Sequence, residues 1–386
     1  MSVWRPQHYI KAAQGAGVGR VILHRAVRTG LKTVRVNPVL PPVITLRHLA
    51  HLAHIDYGFL RAVIRRQNPD PYRVFAIKKS RAEPKKKAYR IICVPDPALM
   101  RAQRWIAKRI LAHGRPHWAS YAYAPGCSIK EAASLHCGCA WLIKLDVHRF
   151  FESISEIAAY RVFLGLGYQP LVAFELARIC TRQSKWRAAH RHEQWRADRS
   201  FHAAIPAYKQ HLIGHLPQGA PTSPMLSTLA MVALDEQVAA IAKRFDLFYT
   251  RYADDLCLST PNSGFGRADA AKVIKEVYRV MARFGLSPNR IKTKVSPPGS
   301  RKIVLGLLVD GSEPRLTREF RANIRRHIHY LRRDDVGPVG HAAKRGFASV
   351  LGLRNHIEGL ISYARQIDPE YANRRAQELA PVSWPF

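Results

Sequence analysis

Apolar positions recur along this chain at spacings that change from segment to segment. Leu46, Leu49, Leu52 and Ile55, then Leu60, Val63 and Ile64, fall at helical spacing and predict a pair of short helices. Tyr72 to Ile77 and Tyr89 to Val94 read as strands, so the basic, Pro-broken stretch from Lys78 to Lys87 is expected to tip a β-hairpin. Leu99 to Leu111 is again helical. Trp141 to Leu145 is a short apolar run ending at Asp146, which predicts a buried strand with an acid at its C-terminal end. Phe150 and Phe151 then turn into a helix. Ser223 as N-cap and Pro224 at the first position predict a helix running to about Phe245. Two strand-like pieces between Leu247 and Ser259 flank Asp254-Asp255, with that pair as the turn. Val273, Ile274, Val277, Val280, Met281 and Phe284 stripe a helix that Gly285 closes. Ile303 to Val309 reads as one strand. Leu316, Phe320, Ile324, Ile328 and Leu331 stripe a last helix, with Arg318, Arg321, Arg325, Arg332 and Arg333 mostly off the stripe. The order of elements predicts an α+β fold, with no repeat of fixed period.

Charge narrows the function. The 386 residues carry 62 Lys+Arg against 27 Asp+Glu, a formal net charge of +35. Self-repulsion on that scale disfavours compaction unless a polyanion is near, which points to nucleic acid. An anionic membrane surface is disfavoured because no long apolar span exists. Residues 1–40 alternate basic and apolar residues, with Gly15, Gly17 and Gly19 loosening the pattern, and no acid precedes Asp56. A mitochondrial transit peptide shares that bias but is Ser-rich, and this stretch has only Ser2, so a mobile or partner-ordered RNA-binding arm is preferred. Cys93, Cys127, Cys137, Cys139, Cys180 and Cys257 show no disulfide spacing, which suits a reducing cytoplasm. His136-Cys137-Gly138-Cys139 hints at a metal, but no second ligand pair follows at zinc spacing.

Adjacent carboxylates between apolar strands, as in Tyr252-Ala253-Asp254-Asp255-Leu256, are costly unless a cation neutralises them. Their hard oxygens suit Mg²⁺, and two such ions need a third carboxylate to bridge them. Asp146 has the right context. An Asp-Asp dipeptide is also ordinary turn chemistry. What shifts the balance is Gln218-Gly219-Ala220-Pro221-Thr222-Ser223-Pro224 between the two acidic sites, and Asn289-Arg290-Ile291-Lys292-Thr293 after the amphipathic helix.

Together with Leu145-Asp146-Val147-His148-Arg149-Phe150-Phe151, these segments resemble, in order and spacing, the successive motifs of bacterial reverse transcriptases over roughly residues 70–310. The resemblance implies a right-hand polymerase fold with fingers, ferredoxin-like palm and helical thumb: an arm at 1–40, fingers at 41–140, palm at 141–310 with an insert at 181–215, and thumb at 311–386. It implies that Asp146, Asp254 and Asp255, with the Val147 backbone, hold two Mg²⁺ ions. Phe151 matches the ring that excludes a 2′-hydroxyl; Phe150 takes the part of a core ring. Lys78 and Arg90 match residues that hold the triphosphate, with Lys79 a competing candidate and a solvated basic face the alternative. Gln218, Gly219 and Ala220 match the nucleotide and template contact. Lys292 matches the residue that protonates departing pyrophosphate, with a plain surface lysine as the alternative. Val304, Leu305 and Gly306 match the primer grip.

Among these enzymes the chain most resembles those of retrons. It is compact and lacks maturase and endonuclease extensions. Glu131 stands where retron enzymes commonly have Asn before Ala-x-x-His, and Val304-Leu305-Gly306 stands where they have Val-Thr-Gly. Membership would imply a structured non-coding RNA as template and primer, its DNA product, dNTPs as substrates, and an effector protein in anti-phage defence. A related defence-type or group II intron-like enzyme, and an RNA-binding scaffold with a vestigial polymerase site, are the alternatives. The 181–215 insert interleaves Lys185, Arg187, Arg191, Arg196 and Arg199 with Trp186, Trp195 and Tyr208, which suits a single strand or RNA loop as well as a solvated one. His190 and His192 lack a third ligand.

Overall fold

The computed structural model describes residues 4–15, 17–67, 69–78, 89–184 and 205–386. Lys79 and residues 185–204 of the insert, with the Lys, Arg, Trp and His positions read from them, lie outside the described residues.

Four strands form the central sheet. β1 (Tyr72–Lys78) and β2 (Tyr89–Pro95) make a separate antiparallel hairpin. β3 (Trp141–Asp146), β4 (Phe248–Tyr252), β5 (Asp255–Thr260) and β6 (Lys294–Ser296) order as β4-β5-β3-β6, all antiparallel. β3 is buried almost throughout, as a central strand covered on both faces must be. Helices Pro97–Arg109, Pro170–Cys180, Val232–Arg244 and Arg267–Arg283 supply Leu99, Ile106, Leu176, Val238, Val273 and Val277 to the same continuous core. A second core forms where helices Arg318–Leu331, Val350–Ile367 and Pro369–Leu379 gather Ile324, Ile328, Leu353, Ile357 and Ile361 beneath Val304, Leu307 and Leu316. Leu142 and Cys257 of the central sheet belong to that second core, so the sheet is shared between the two.

The N-terminal stretch, expected as a loosely patterned arm, is helical. Pro6–Gly15 and Arg20–Val36 are helices, and the second buries Leu23, Ala26, Gly30 and Thr33 along one face. The rest of the protein supplies the reason: Thr33 Oγ1 donates to the Gly167 carbonyl, Asn37 Nδ2 donates to the His113 carbonyl, and Gly30 lies against Trp4 and Pro42. Its charged residues hid a stripe of small residues.

The predicted helix from Ser223 also differs. It breaks at Met231 into Ser223–Ala230 and Val232–Arg244, bent by 49°. Ser223 does not cap it but donates to the Pro217 carbonyl at 2.6 Å. The single strand expected at 303–309 is instead a hairpin of β7 (Ile303–Val304) and β8 (Leu307–Leu308), joined by β9 (Arg315–Leu316). Leu305 and Gly306 turn it with φ of 49° and 86°, the left-handed pair that a two-residue hairpin requires. No single helix among the described residues is long and apolar enough to cross a membrane.

Buried polar groups tie the layers together. Glu156 accepts from Arg66 and Arg178 and from the Gly214 amide; burial raises its carboxyl, but the two guanidiniums outweigh that and hold it low. Arg182 and His215 exchange backbone hydrogen bonds of 3.0 and 2.9 Å beside this knot, closing the base of the insert. His136 bonds Ser259 Oγ and Thr250 Oγ1, both at 2.7 Å, so it serves the core.

Burial pushes His136 down to about 4, and burial followed by the His341 charge does the same to His327. A neutral folded imidazole stabilises the protein fully above the free value of 6.5, and that contribution is lost as pH falls from 6.5 toward 4. His136 alone accounts for about 3 kcal/mol at the lower end of that window. Urea midpoints of the protein measured between these limits should fall with pH, and His136→Asn should make the slope shallower. An unchanged slope would assign the acid sensitivity elsewhere.

Candidate active site

Strand register builds the site. Asp146, the last residue of β3, pairs across the sheet with Asp255, the first of β5. Directly opposed residues of an antiparallel pair project to the same face, so these two carboxylates share one. Asp254 lies in the turn just before. Ala253, not Asp255, is its other turn residue, with φ of 54°. The Val147 amide donates to the Asp254 carbonyl at 3.0 Å, fixing the turn against the end of β3. Burial raises the carboxyl of Asp254, and the charges of Asp255 and Asp146 raise it further. Burial also raises Asp255; Lys144 and Lys292 pull it back, and Asp146 pushes it up.

Asn289 and Lys292 close the other side. Asn289 donates from its backbone to the Asp146 carbonyl at 2.7 Å and from Nδ2 to the carboxylate at 2.8 Å. Lys292 Nζ donates to the other Asp146 oxygen at 2.6 Å. Three acids with hard oxygens, two of them lifted by burial and by neighbouring aspartate charge, are a donor set that a divalent cation stabilises. Among the described residues no group of three or more His, Cys, Asp or Glu side chains closes to hold a metal. Both Asp146 oxygens are engaged by nitrogen donors here, so the trio is gathered but not closed.

The remaining expected residues divide. Phe151 sits in the short helix Phe150–Ser153 and is half-buried, while Phe150 is buried. The Gln218 carbonyl accepts from the Cys93 amide at 2.7 Å, docking the 218–220 loop on β2. Gly219 has φ of 111°, and a Cβ there would meet Ile92 Cγ2 at 3.0 Å and the Cys93 carbonyl at 3.1 Å, so the position demands glycine. Register pairs Arg90 with Ile77 and Lys78 with Tyr89. Alternation therefore sends Arg90 and Lys78 to opposite faces of the hairpin. Arg90 shares its face with Ile92, the residue against Gly219. Val304 is buried in the second core, and Leu305 and Gly306 form the tip of the β7–β8 hairpin.

Sequence reasoning missed the support beneath the turn. Arg251, only 1% exposed, pairs with buried Asp235 through Nε–Oδ1 at 2.7 Å and Nη2–Oδ2 at 2.6 Å. Its Nη1 donates to the Ala253 carbonyl at 3.1 Å, and Tyr249 donates to Asp235 as well. An arginine three residues before the Asp254-Asp255 pair, inside a buried strand, was the available signal. It also missed Tyr123, whose ring lies 6.4 Å from that of Phe151 and 6.4 Å from that of Tyr252.

Residues 77–308 match the model of the family described as reverse transcriptase (RNA-dependent DNA polymerase). The chain is 26% identical to the retron Mx65 reverse transcriptase of Myxococcus xanthus, over 99% of its own length and 73% of that protein's. It is 28% identical to the retron Ec86 reverse transcriptase of Escherichia coli, over 88% of its length and 95% of that protein's. Among solved structures it is similar to a foamy viral protease-reverse transcriptase in complex with double-stranded DNA, with a TM-score of 0.40, 15% identity, and coverage of 76% of this chain and 36% of that one.

Proposed function

The chain belongs to the reverse transcriptase family and is an RNA-directed DNA polymerase on an α+β right-hand fold, and from that premise we propose that it works as a retron-type enzyme. It binds a structured non-coding RNA and copies part of it into DNA from dNTPs, using two Mg²⁺ ions held by Asp146, Asp254, Asp255 and the Val147 backbone. The observation that carries this reading is the register that sets Asp146 opposite Asp255 with Asp254 in the adjoining turn. Held by Asp146, Asp254 and Asp255, such ions would supply activation of the attacking hydroxyl and charge for the leaving phosphate.

The protein's own groups do the rest. Arg90 and Lys78 receive the triphosphate, as guanidinium and ammonium groups do; Arg90 is the better placed, on the face of Ile92. Gln218 and the Gly219–Ala220 backbone lie along nucleotide and template. Phe151 blocks a 2′-hydroxyl. Lys292, beside Asp146, gives its proton to departing pyrophosphate. Val304, Leu305 and Gly306 grip the primer from their hairpin. An effector protein, a role in anti-phage defence and a cytoplasmic location complete the reading; six free cysteines suit that compartment. The test is direct. Protein with its co-purified RNA, Mg²⁺ and dNTPs should yield short DNA joined to one structured RNA. RNA binding with no extension on that RNA or on any primed template would leave only a scaffold.

The N-terminal helix gives the RNA a rigid contact. Arg25, Arg28, Lys32 and Arg35 are exposed on the side of Arg20–Val36 away from its buried stripe. Changing these four to alanine should weaken RNA binding and lower the salt slope of log K by about one for each phosphate no longer neutralised. Extension of a short primed template should persist. An unchanged salt slope, read by anisotropy, would remove the ridge from the RNA interface.

A further inference from the structure

The loop before the first aspartate strand is held more firmly than a connecting segment needs. The Arg251 amide donates to the Ala119 carbonyl at 2.7 Å, and the Tyr121 amide donates to the Arg251 carbonyl at 2.9 Å, so the loop runs as an extra edge on β4. Arg251 Nη2 reaches Ser120 Oγ at 3.2 Å, and Thr228 Oγ1 donates to the Ala122 carbonyl at 3.2 Å. At the end of this anchored run Tyr123 adopts φ of 65°. A non-glycine residue there costs about 1–2 kcal/mol, which the surrounding bonds must sustain.

That strain does not serve core packing. Tyr123 leaves 42% of its surface exposed, an uncommon arrangement for a ring with so many fixed neighbours. The ring lies between two partly exposed rings from separate segments: Phe151 at the start of its helix and Tyr252 at the end of β4. The three form an open aromatic wall beside the turn that carries Asp254. Flat apolar surfaces of this kind pack against the C–H faces of a sugar. They reject added polar groups through lost space and unpaired hydroxyls.

We infer that Tyr123 is a specificity-determining residue, forming with Phe151 the wall against which the sugar of the incoming nucleoside triphosphate is seated. The inference rests on the polymerase reading above. It assigns the second half of a contact in which Phe151 alone was expected. Strain at Tyr123 is then the cost of aiming the ring across the cleft toward Phe151, and the Arg251 bonds keep it there.

Single-nucleotide incorporation on a short RNA template with a DNA primer tests it, using wild type, Tyr123→Phe, Tyr123→Ala, Tyr123→Gly and Phe151→Ala. Glycine accepts the left-handed backbone without strain, so the Gly variant separates loss of the ring from loss of the fold. Both truncations should raise the dNTP KM about tenfold and cut the preference for dNTP over NTP about tenfold. Primer–template affinity should stay within about twofold in the same variants, and Tyr123→Phe should behave as wild type. If truncation leaves KM and sugar preference unchanged while Phe151→Ala relaxes the preference, the inference fails and the polymerase reading stands. If only primer–template affinity drops, the ring faces nucleic acid and the assignment is wrong. A Phe variant as impaired as the Gly variant would overturn the role of the ring in favour of its hydroxyl. Wild type that incorporates no nucleotide would remove the parent reading and this one together.

Discussion

Changing Asp254 and Asp255 together to asparagine should end DNA synthesis while leaving the fold at least as stable. On the proposed reading these two charges would hold the metals and be worth several kcal/mol at the transition state, so turnover should fall by roughly 10³-fold or more. Asparagine keeps the shape of the side chain and suits the turn. Both carboxyls sit high because burial disfavours their charge and neighbouring aspartates add repulsion. Removing those charges relieves that cost, as happens at sites where function opposes stability. Primer extension and urea unfolding on the same preparations check both halves. Synthesis within tenfold of wild type would mean that these carboxylates do not hold the catalytic ions.

Asp235→Ala, on the helix Val232–Arg244 that packs on the central sheet, should be strongly destabilising. It strips Arg251 of both carboxylate bonds and Tyr249 of its acceptor, all within the core. Breaking one partner of a buried pair typically costs 3–5 kcal/mol, because the other charge stays buried without compensation. Urea unfolding should show that loss. Replacing both partners, as Asp235→Leu with Arg251→Met, should recover much of it. The double variant should still extend primers poorly, since the Ala253 carbonyl loses its Nη1 donor and the loop that bears Tyr123 loses a tie. A loss under about 1 kcal/mol in Asp235→Ala would show that the pair does not carry the turn.

The aspartates were legible as candidates because strand patterning and acid placement coincide: an apolar run ends on Asp146, and two strand-like pieces flank Asp254-Asp255. The shared face of Asp146 and Asp255 follows from register, which a single sequence does not print. The N-terminal helices were illegible for the opposite reason. Arg and Lys interrupt the apolar pattern of Arg20–Val36, while the buried stripe consists of Leu23, Ala26, Gly30 and Thr33, residues that pack against neighbours such as Gly167 and Pro42. The motif from Gln218 to Pro224 identified a site but misled on local structure, since Ser223 spends its hydroxyl on the Pro217 carbonyl. The hairpin at Leu305-Gly306 was hidden by a leucine in a conformation usually left to glycine or asparagine. Arg90 and Lys78, paired by resemblance, part company through strand alternation alone.

The knot around Glu156 fixes the base of the insert. Arg66, Arg178 and the Gly214 amide converge on one carboxylate, and Arg182 and His215 join hands beside it. The geometry of the two feet is thus set from below. Between the feet, Tyr208 is buried in the core and bonded to Glu175 and Arg61, so it is an anchor and not the exposed ring expected of an RNA-stacking residue. Lengthening the chain away from that anchor should cost little more than loop-closure entropy, about 0.6 kcal/mol per doubling. Such a base should act as a socket: sequence away from the Tyr208 anchor should be exchangeable there, by design, while the register of Asp146 and Asp255 persists.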